Sequence, residues 1–217
     1  MFAMMLAVTL ATPAAVAPPD GTYTYVQMER GKQIAHYVVS VKRSGAKIDV
    51  KGELEPEVTG GALPIVESGF AVDAGTLDLV SYHEMEEIGC GAMPYDVTVS
   101  GSTAQLGKKN LAFPGIEHYV VDDGRSVPFF LPAEVAVWSD GRAVSIAPER
   151  GAAHVIEPYP MAQQPARPAS VPASDRYIGL HELGAKSGSS GLWYDPQTMI
   201  VDEVDTATAE WLRKDHL

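Results

Sequence analysis

The residues best equipped for chemistry lie in Tyr82-His83-Glu84-Met85-Glu86-Glu87-Ile88-Gly89-Cys90, which puts an imidazole, three carboxylates and a thiol into one short run. All are metal-ligand types, but a zinc site needs three or four of them in fixed geometry. Side chains alternate along a strand, so only His83 with Glu87, or Glu84 with Glu86, share a face. The run is therefore expected to be an exposed acidic strand end. Cys90 with His83 or His118 would supply a nucleophile and its base. A small hydrolase or metal enzyme built on His83, Glu87, Cys90 and His118 needs those side chains in one cleft, whereas a lone cysteine ordinarily serves as a small buried hydrophobe. Gly188-Ser189-Ser190-Gly191 lacks the G-x-S-x-G spacing of a nucleophile elbow. Asp122-Asp123-Gly124 and Ser139-Asp140-Gly141 lack the alternating ligands and closing glutamate of a calcium loop and read as turns. His36 and His181 read as surface or strand-boundary histidines. No catalytic residue, metal ligand or cofactor is assigned.

Aromatic residues offer a second kind of site. Tyr25, Tyr37, Phe129, Phe130, Trp138 and Trp193 could line an apolar ligand pocket, with Tyr23 and Trp211 beside them. Ordinary core packing would use the same residues, and both readings stay open.

The elements that must position these side chains are strands. TYTYVQMER, QIAHYVVSVKR and KIDVKGELE follow one another across Gly31-Lys32 and Ser44-Gly45-Ala46. In the second, Ala35, Tyr37, Val39 and Val41 share a face. In the third, Ile48 and Val50 oppose Lys47, Asp49 and Lys51, as in a meander with one side buried. Turn signals recur at Asp73-Ala74-Gly75, Ser100-Gly101-Ser102, Asp122-Asp123-Gly124, Ser139-Asp140-Gly141 and Asp195-Pro196. Strands of ordinary length fill the gaps. No long amphipathic helix lies between them to carry a parallel crossover, which argues against Rossmann-like and TIM-barrel folds. The expected class is mainly β, a large curved antiparallel sheet or incomplete barrel with one or two short helices. The most apolar later stretch, Ser126 to Trp138, is expected to form a short helix from Ala133 to Trp138 opened by Pro132, packed over the concave face. Ala207 to Arg213 is undecided between strand and helix.

Composition bounds the rest. Residues 1–17 are nearly all apolar or small and end Ala15-Val16-Ala17 before Pro18-Pro19-Asp20-Gly21, the pattern of a signal peptide cleaved after Ala17. No basic residue precedes the apolar run; the first is Arg30. A buried amino-terminal segment is the alternative, since the run falls short of the ~20 apolar residues of a membrane span. Residues 18–217 are expected to be one β-rich domain with a Pro-rich excursion at 158–174, exported to the periplasm or the extracellular space. With 16 Lys and Arg against 28 Asp and Glu the net charge is -12. Such a surface disfavours nucleic acid and anionic membranes, whose recognition requires clustered basic charge.

Gly21-Thr22-Tyr23-Thr24-Tyr25 with Gly31, Tyr119-Val120-Val121-Asp122-Asp123-Gly124 leading into Phe129-Phe130-Leu131-Pro132, and the closing Leu192-Trp193-Tyr194-Asp195-Pro196-Gln197-Thr198 resemble uncharacterised exported bacterial β-proteins. Some of those precede an α/β-hydrolase domain. The closing hairpin also resembles the late hairpin of the lipoprotein-carrier group, whose incomplete barrel holds an apolar hollow under covering helices. The resemblance implies a curved sheet with an apolar pocket, and it transfers no catalytic residue. Three functions are consistent with these features. The favoured one is a non-catalytic binding or carrier domain for an apolar small molecule or lipid. The others are an interaction module with a protein partner and the small hydrolase or metal enzyme above.

Overall fold

In the computed structural model, residues 16–57, 64–88, 91–121, 127–138, 140–159, 164–183, 190–206 and 210–216 are described. Most of the signal-peptide segment, Cys90, the Asp122-Asp123-Gly124 turn and the loop at 184–189 lie outside them.

Alternation of buried and exposed side chains builds a first limb of eight strands: β1 (Gly21–Glu29), β2 (Lys32–Ser44), β3 (Lys47–Pro56), β4 (Ile65–Asp73), β5 (Leu79–Ile88), β6 (Gly91–Ser100), β7 (Thr103–Leu106) and β8 (Lys109–Ala112). Each pairs antiparallel with its sequence neighbour. The register matches the hydrophobic pattern: Val41, Val50, Phe70, Tyr82 and Val97 lie directly opposite one another across β2 to β6. A slip of one residue would put this whole row into water, so the register is strongly specified. Gly31 and Gly45 close the first two turns with positive φ, 75° and 61°. At the β4–β5 turn the Asp73 carboxylate accepts from the Gly75 and Thr76 backbone N–H groups.

The second limb comprises β9 (Tyr119–Val121), α1 (Leu131–Val135), β10 (Ala143–Ala147), β11 (Ala152–Pro158), β12 (Arg176–Glu182), β13 (Ser190–Tyr194), β14 (Val201–Thr206) and β15 (Glu210–Arg213). The stretch left undecided between strand and helix thus holds a strand, and that strand joins the limbs. β15 pairs with both β1 and β14, so all strands form one sheet in the order β8-β7-β6-β5-β4-β3-β2-β1-β15-β14-β13-β12-β11-β10-β9.

Two expectations need correction. β9 and β10 run parallel, with Tyr119, Val120 and Val121 opposite Val144, Ser145 and Ile146. The crossover between them is long enough for a parallel return, and its described parts, 127–138 and 140–142, contain a single short helix. That helix spans Leu131–Val135 rather than Ala133 to Trp138, with Pro132 in its first turn. Trp138 packs instead with Val120, Ala143 and Ile156, which draws the chain off the helical path.

Strong twist curls the sheet so that its two ends meet. Leu79 and Tyr82 of β5, Val97 of β6 and Ala104 and Leu106 of β7 pack against Tyr119 of β9 and Val144 and Ile146 of β10. Side chains, rather than strand pairing, close this barrel-like shape. The Lys109 ammonium of β8 donates to the Gly151 carbonyl at 3.4 Å across the same seam. Inside the curl, one large cluster combines Tyr25, Tyr37, Val39, Val41, Ile48, Val50 and Leu54 with Leu192, Val201, Val204 and Trp211.

Candidate functional site

Segment 127–138 sits inside the curl. Val127, Phe129, Phe130 and Ala133 are at most 3% exposed and belong to the large cluster, with Leu131, Val135 and Val137 against it. Phe129 lies with its ring centroid 4.8 Å from Tyr23 and 6.1 Å from Tyr25. Phe130 meets Phe70 edge-on at 5.8 Å. The described backbone hydrogen bonds of the segment stay within 127–141: Phe129 to Val127, Leu131 to Pro128, Ala133 and Glu134 to Phe130, Ala136 to Pro132, Val137 to Glu134, Trp138 to Val135 and Gly141 to Trp138. It is therefore an apolar plug held in a curved sheet by side-chain packing and not by strand pairing.

One carboxyl lies in this plug. Glu134 is 8% exposed. Its α1 backbone amide bonds Phe130, but no described residue donates a hydrogen bond to its carboxylate. Burial, followed by the like charge of Asp78, pushes its pKa up to about 8. At neutral pH the group is mostly protonated. Asp78 itself is ion-paired, with His118 Nδ1 2.8 Å from its Oδ1.

The six aromatic residues expected to line a pocket are all buried. Tyr25, Tyr37, Phe129 and Phe130 meet in the large cluster, where the Tyr25 hydroxyl donates to the Val201 carbonyl at 2.7 Å and Tyr37 meets Trp211 edge-on at 6.1 Å. Trp138 occupies a neighbouring cluster. Trp193 belongs to none of the three clusters. It packs at 5.3 Å on Tyr177 across the β12–β13 pair, on the strand face opposite to Leu192, and is separated from the plug.

The polar candidates disperse. His83 faces outward with its Nδ1 2.7 Å from Asp96, in an open trough across β1 to β6 whose lining includes Gly69, Phe70 and Ala71. Both partners are more than half exposed, so solvent screens the pair. Glu87 is exposed, and His118 is held by Asp78 instead. Glu84 and Glu86, expected in an exposed acidic strand end, are 1% exposed, and the Tyr82 hydroxyl bonds Glu84. Their parity on β5 places them on the inward face with Tyr82, a consequence of the seam that closes the curl. No group of three or more His, Cys, Asp or Glu among the described residues is arranged to hold a metal ion.

A second buried polar cluster lies where the Pro-rich excursion rejoins the sheet. Asp175 and Asp202 are 9% and 4% exposed and hydrogen-bonded to each other. Desolvation chiefly, then Asp202, raises Asp175 to about 7; desolvation also raises Asp202, against the pull of Arg213 at 3.0 Å. The pair thus retains a proton near neutrality. Ser170 donates to Glu203 at 2.8 Å and Val171 is buried, so the described part of the excursion packs against the sheet.

Glu134 and Asp78 were missed from sequence. The available signal was a lone carboxyl within the most apolar later stretch, a position at which a merely filled core would carry another hydrophobe.

No family model matches the chain, and no curated protein matches it. Among solved structures it is similar to a beta-barrel-like protein of a domain of unknown function, DUF1849, from Brucella abortus, at 8% identity over 93% of this chain and 96% of that one, with a TM-score of 0.48. The likeness carries no inference about function.

Proposed function

We propose that this chain is an exported, non-catalytic binding or carrier domain for an apolar ligand, taken up between the inner face of the curled sheet and the plug at 127–138. The observation that supports this reading is the plug's attachment: Phe129 and Phe130 fill the curl, yet the described backbone bonds of the segment stay within 127–141. Displacing a sheet strand breaks a ladder of hydrogen bonds. Displacing this segment exchanges apolar contacts for apolar contacts, at roughly 1.5–3 kcal/mol for each phenylalanine. An aliphatic chain can return most of that on entering. The resemblance of the Leu192 to Thr198 hairpin to the lipoprotein-carrier group agrees with such a role, and the net charge of -12 agrees with a soluble exported partner rather than a polyanion binder.

Titration with N-phenyl-1-naphthylamine, a neutral probe that fluoresces in apolar surroundings, tests the proposal. Saturable binding at one site per chain, displaced by dodecanol and altered by Phe130→Ala, is expected. Absence of saturable binding to both the wild type and Phe130→Ala would count decisively against it.

A further inference from the structure

We propose that segment 164–175 is a proton-held strap, fastened to β14 while Asp175 and Asp202 share one proton and released when both carboxylates are charged. The segment carries Pro165, Pro168 and Pro172, and its described backbone hydrogen bonds stay within it: the Val171 N–H donates to the Pro168 carbonyl and the Asp175 N–H to the Pro172 carbonyl, each at 3.2 Å. It thus adds nothing to the ladder of the sheet. Of its residues only Val171 and Asp175 are buried. Ser170 supplies a third attachment by donating to Glu203 at 2.8 Å. Glu203 lies directly opposite Trp193 across β13 and β14, so this fastening is on the face that points away from Leu192 and the large cluster.

Asp175 is the attachment that charge can undo. Its Oδ2 is fully buried and accepts from no described donor, while its Oδ1 accepts from the Ser174 hydroxyl at 3.3 Å. Such an atom is satisfied when it bears the proton itself and donates it to Asp202. Asp202 Oδ1 accepts from Arg213 Nη1 at 3.0 Å, and Arg213 Nη2 donates to Asp215 at 2.5 Å. One guanidinium therefore serves three carboxyls. Asp195, in the β13–β14 turn, adds like charge to the pair and is itself occupied by the Gln197 backbone N–H and the Thr198 hydroxyl, both at 2.8 Å. Tyr25 of β1 stays neutral, and Arg176 is hydrogen-bonded to Tyr194. Among the described groups acting on the pair, Arg213 is the one cation. Loss of the shared proton leaves two anions facing each other where water screens little, and lifting the strap hydrates Asp175. Asp175 keeps its proton up to about 7 when fastened and titrates near 3.8 when hydrated. The lifted fraction should therefore rise about tenfold for each pH unit between those values and stay constant above them.

Amide hydrogen exchange of the full chain, followed by NMR from about pH 4.5 to about pH 8.5 and corrected for the intrinsic pH dependence of exchange, tests the strap. The Val171 and Asp175 amides are expected to lose protection about tenfold per pH unit up to about 7 and then level off, while the β2 amides stay more protected throughout. Asp175→Asn keeps a donor at this position and does not titrate, so it should abolish the slope and retain its acid-side protection above neutrality. Ser170→Ala, which removes a different attachment, should speed exchange at every pH and leave the slope unchanged. Protection independent of pH in the wild type, or an equal slope in Asp175→Asn, would overturn the shared proton as the fastening. Exchange of Val171 and Asp175 at the rate of the β2 amides would overturn the strap itself, since the segment would then open only with the whole sheet.

Discussion

Replacing Glu134 by glutamine should abolish a large part of the pH dependence of stability. The pKa of this carboxyl rises from 4.5 to about 8 on folding, because burial and Asp78 disfavour its charge. The folded state therefore binds more protons than the unfolded state between those values. The stabilisation conferred by the neutral form is fully present below 4.5 and is lost as pH rises through 8. At about 1.36 kcal/mol per pH unit the whole interval corresponds to about 5 kcal/mol, of which about 3 kcal/mol falls between pH 5.5 and 9. Glutamine has the shape of the protonated acid and does not titrate. Urea unfolding of wild type and Glu134→Gln, followed by tryptophan fluorescence across pH 5.5 to 9, measures the difference directly. The variant should gain about 3 kcal/mol on the wild type over that range, while the Asp175–Asp202 pair, common to both proteins, cancels. Parallel stability curves would refute the placement of Glu134 as an unpaired buried carboxyl.

Two other outcomes follow from the packing. A Cβ on Gly52 would lie 2.8 Å from Tyr37 Cε2 and closer still to its Cζ and hydroxyl, so Gly52→Ala should cost about 1–3 kcal/mol in wild type. It should cost nothing once Tyr37→Ala has emptied the space, and an equal cost in both backgrounds, by denaturant titration, would dispose of the clash. Asp175→Asn removes one acid of a pair that holds its proton up to about pH 7. Since a raised carboxyl loses its stabilising contribution as pH rises from its unfolded to its folded value, the variant should gain thermal stability on wild type progressively between about pH 4 and 7, with a constant difference above pH 7; a pH-independent difference in Tm across that interval would contradict the shared proton.

Strand periodicity made the first limb legible. The alternation Ala35, Tyr37, Val39, Val41 and the opposition of Ile48 and Val50 to their charged neighbours are buried and exposed as the pattern requires. Shorter elements carried too few residues for a period: β8 has four residues and β9 three. The parallel pairing of β9 with β10 depends on where a crossover returns, and no local pattern encodes that. The inward placement of Glu84 and Glu86 escaped for a related reason, since charge argued for exposure while strand parity with Tyr82 argued for burial, and the seam with β9 decided the outcome. At the candidate site the aromatic types were visible, but their division was not. Trp193 and Leu192 are adjacent in one strand and so face opposite ways. The packing of the plug with Ala74 and Leu77 of the β4–β5 turn is likewise produced by the curl and has no local signal.

The central claim is that the curled sheet holds an apolar molecule. Native mass spectrometry of the protein purified from its native host, with organic extraction of whatever accompanies it, examines that claim most directly. A stoichiometric apolar adduct is the predicted result. A bare mass under conditions that keep other lipid complexes intact would contradict the carrier role.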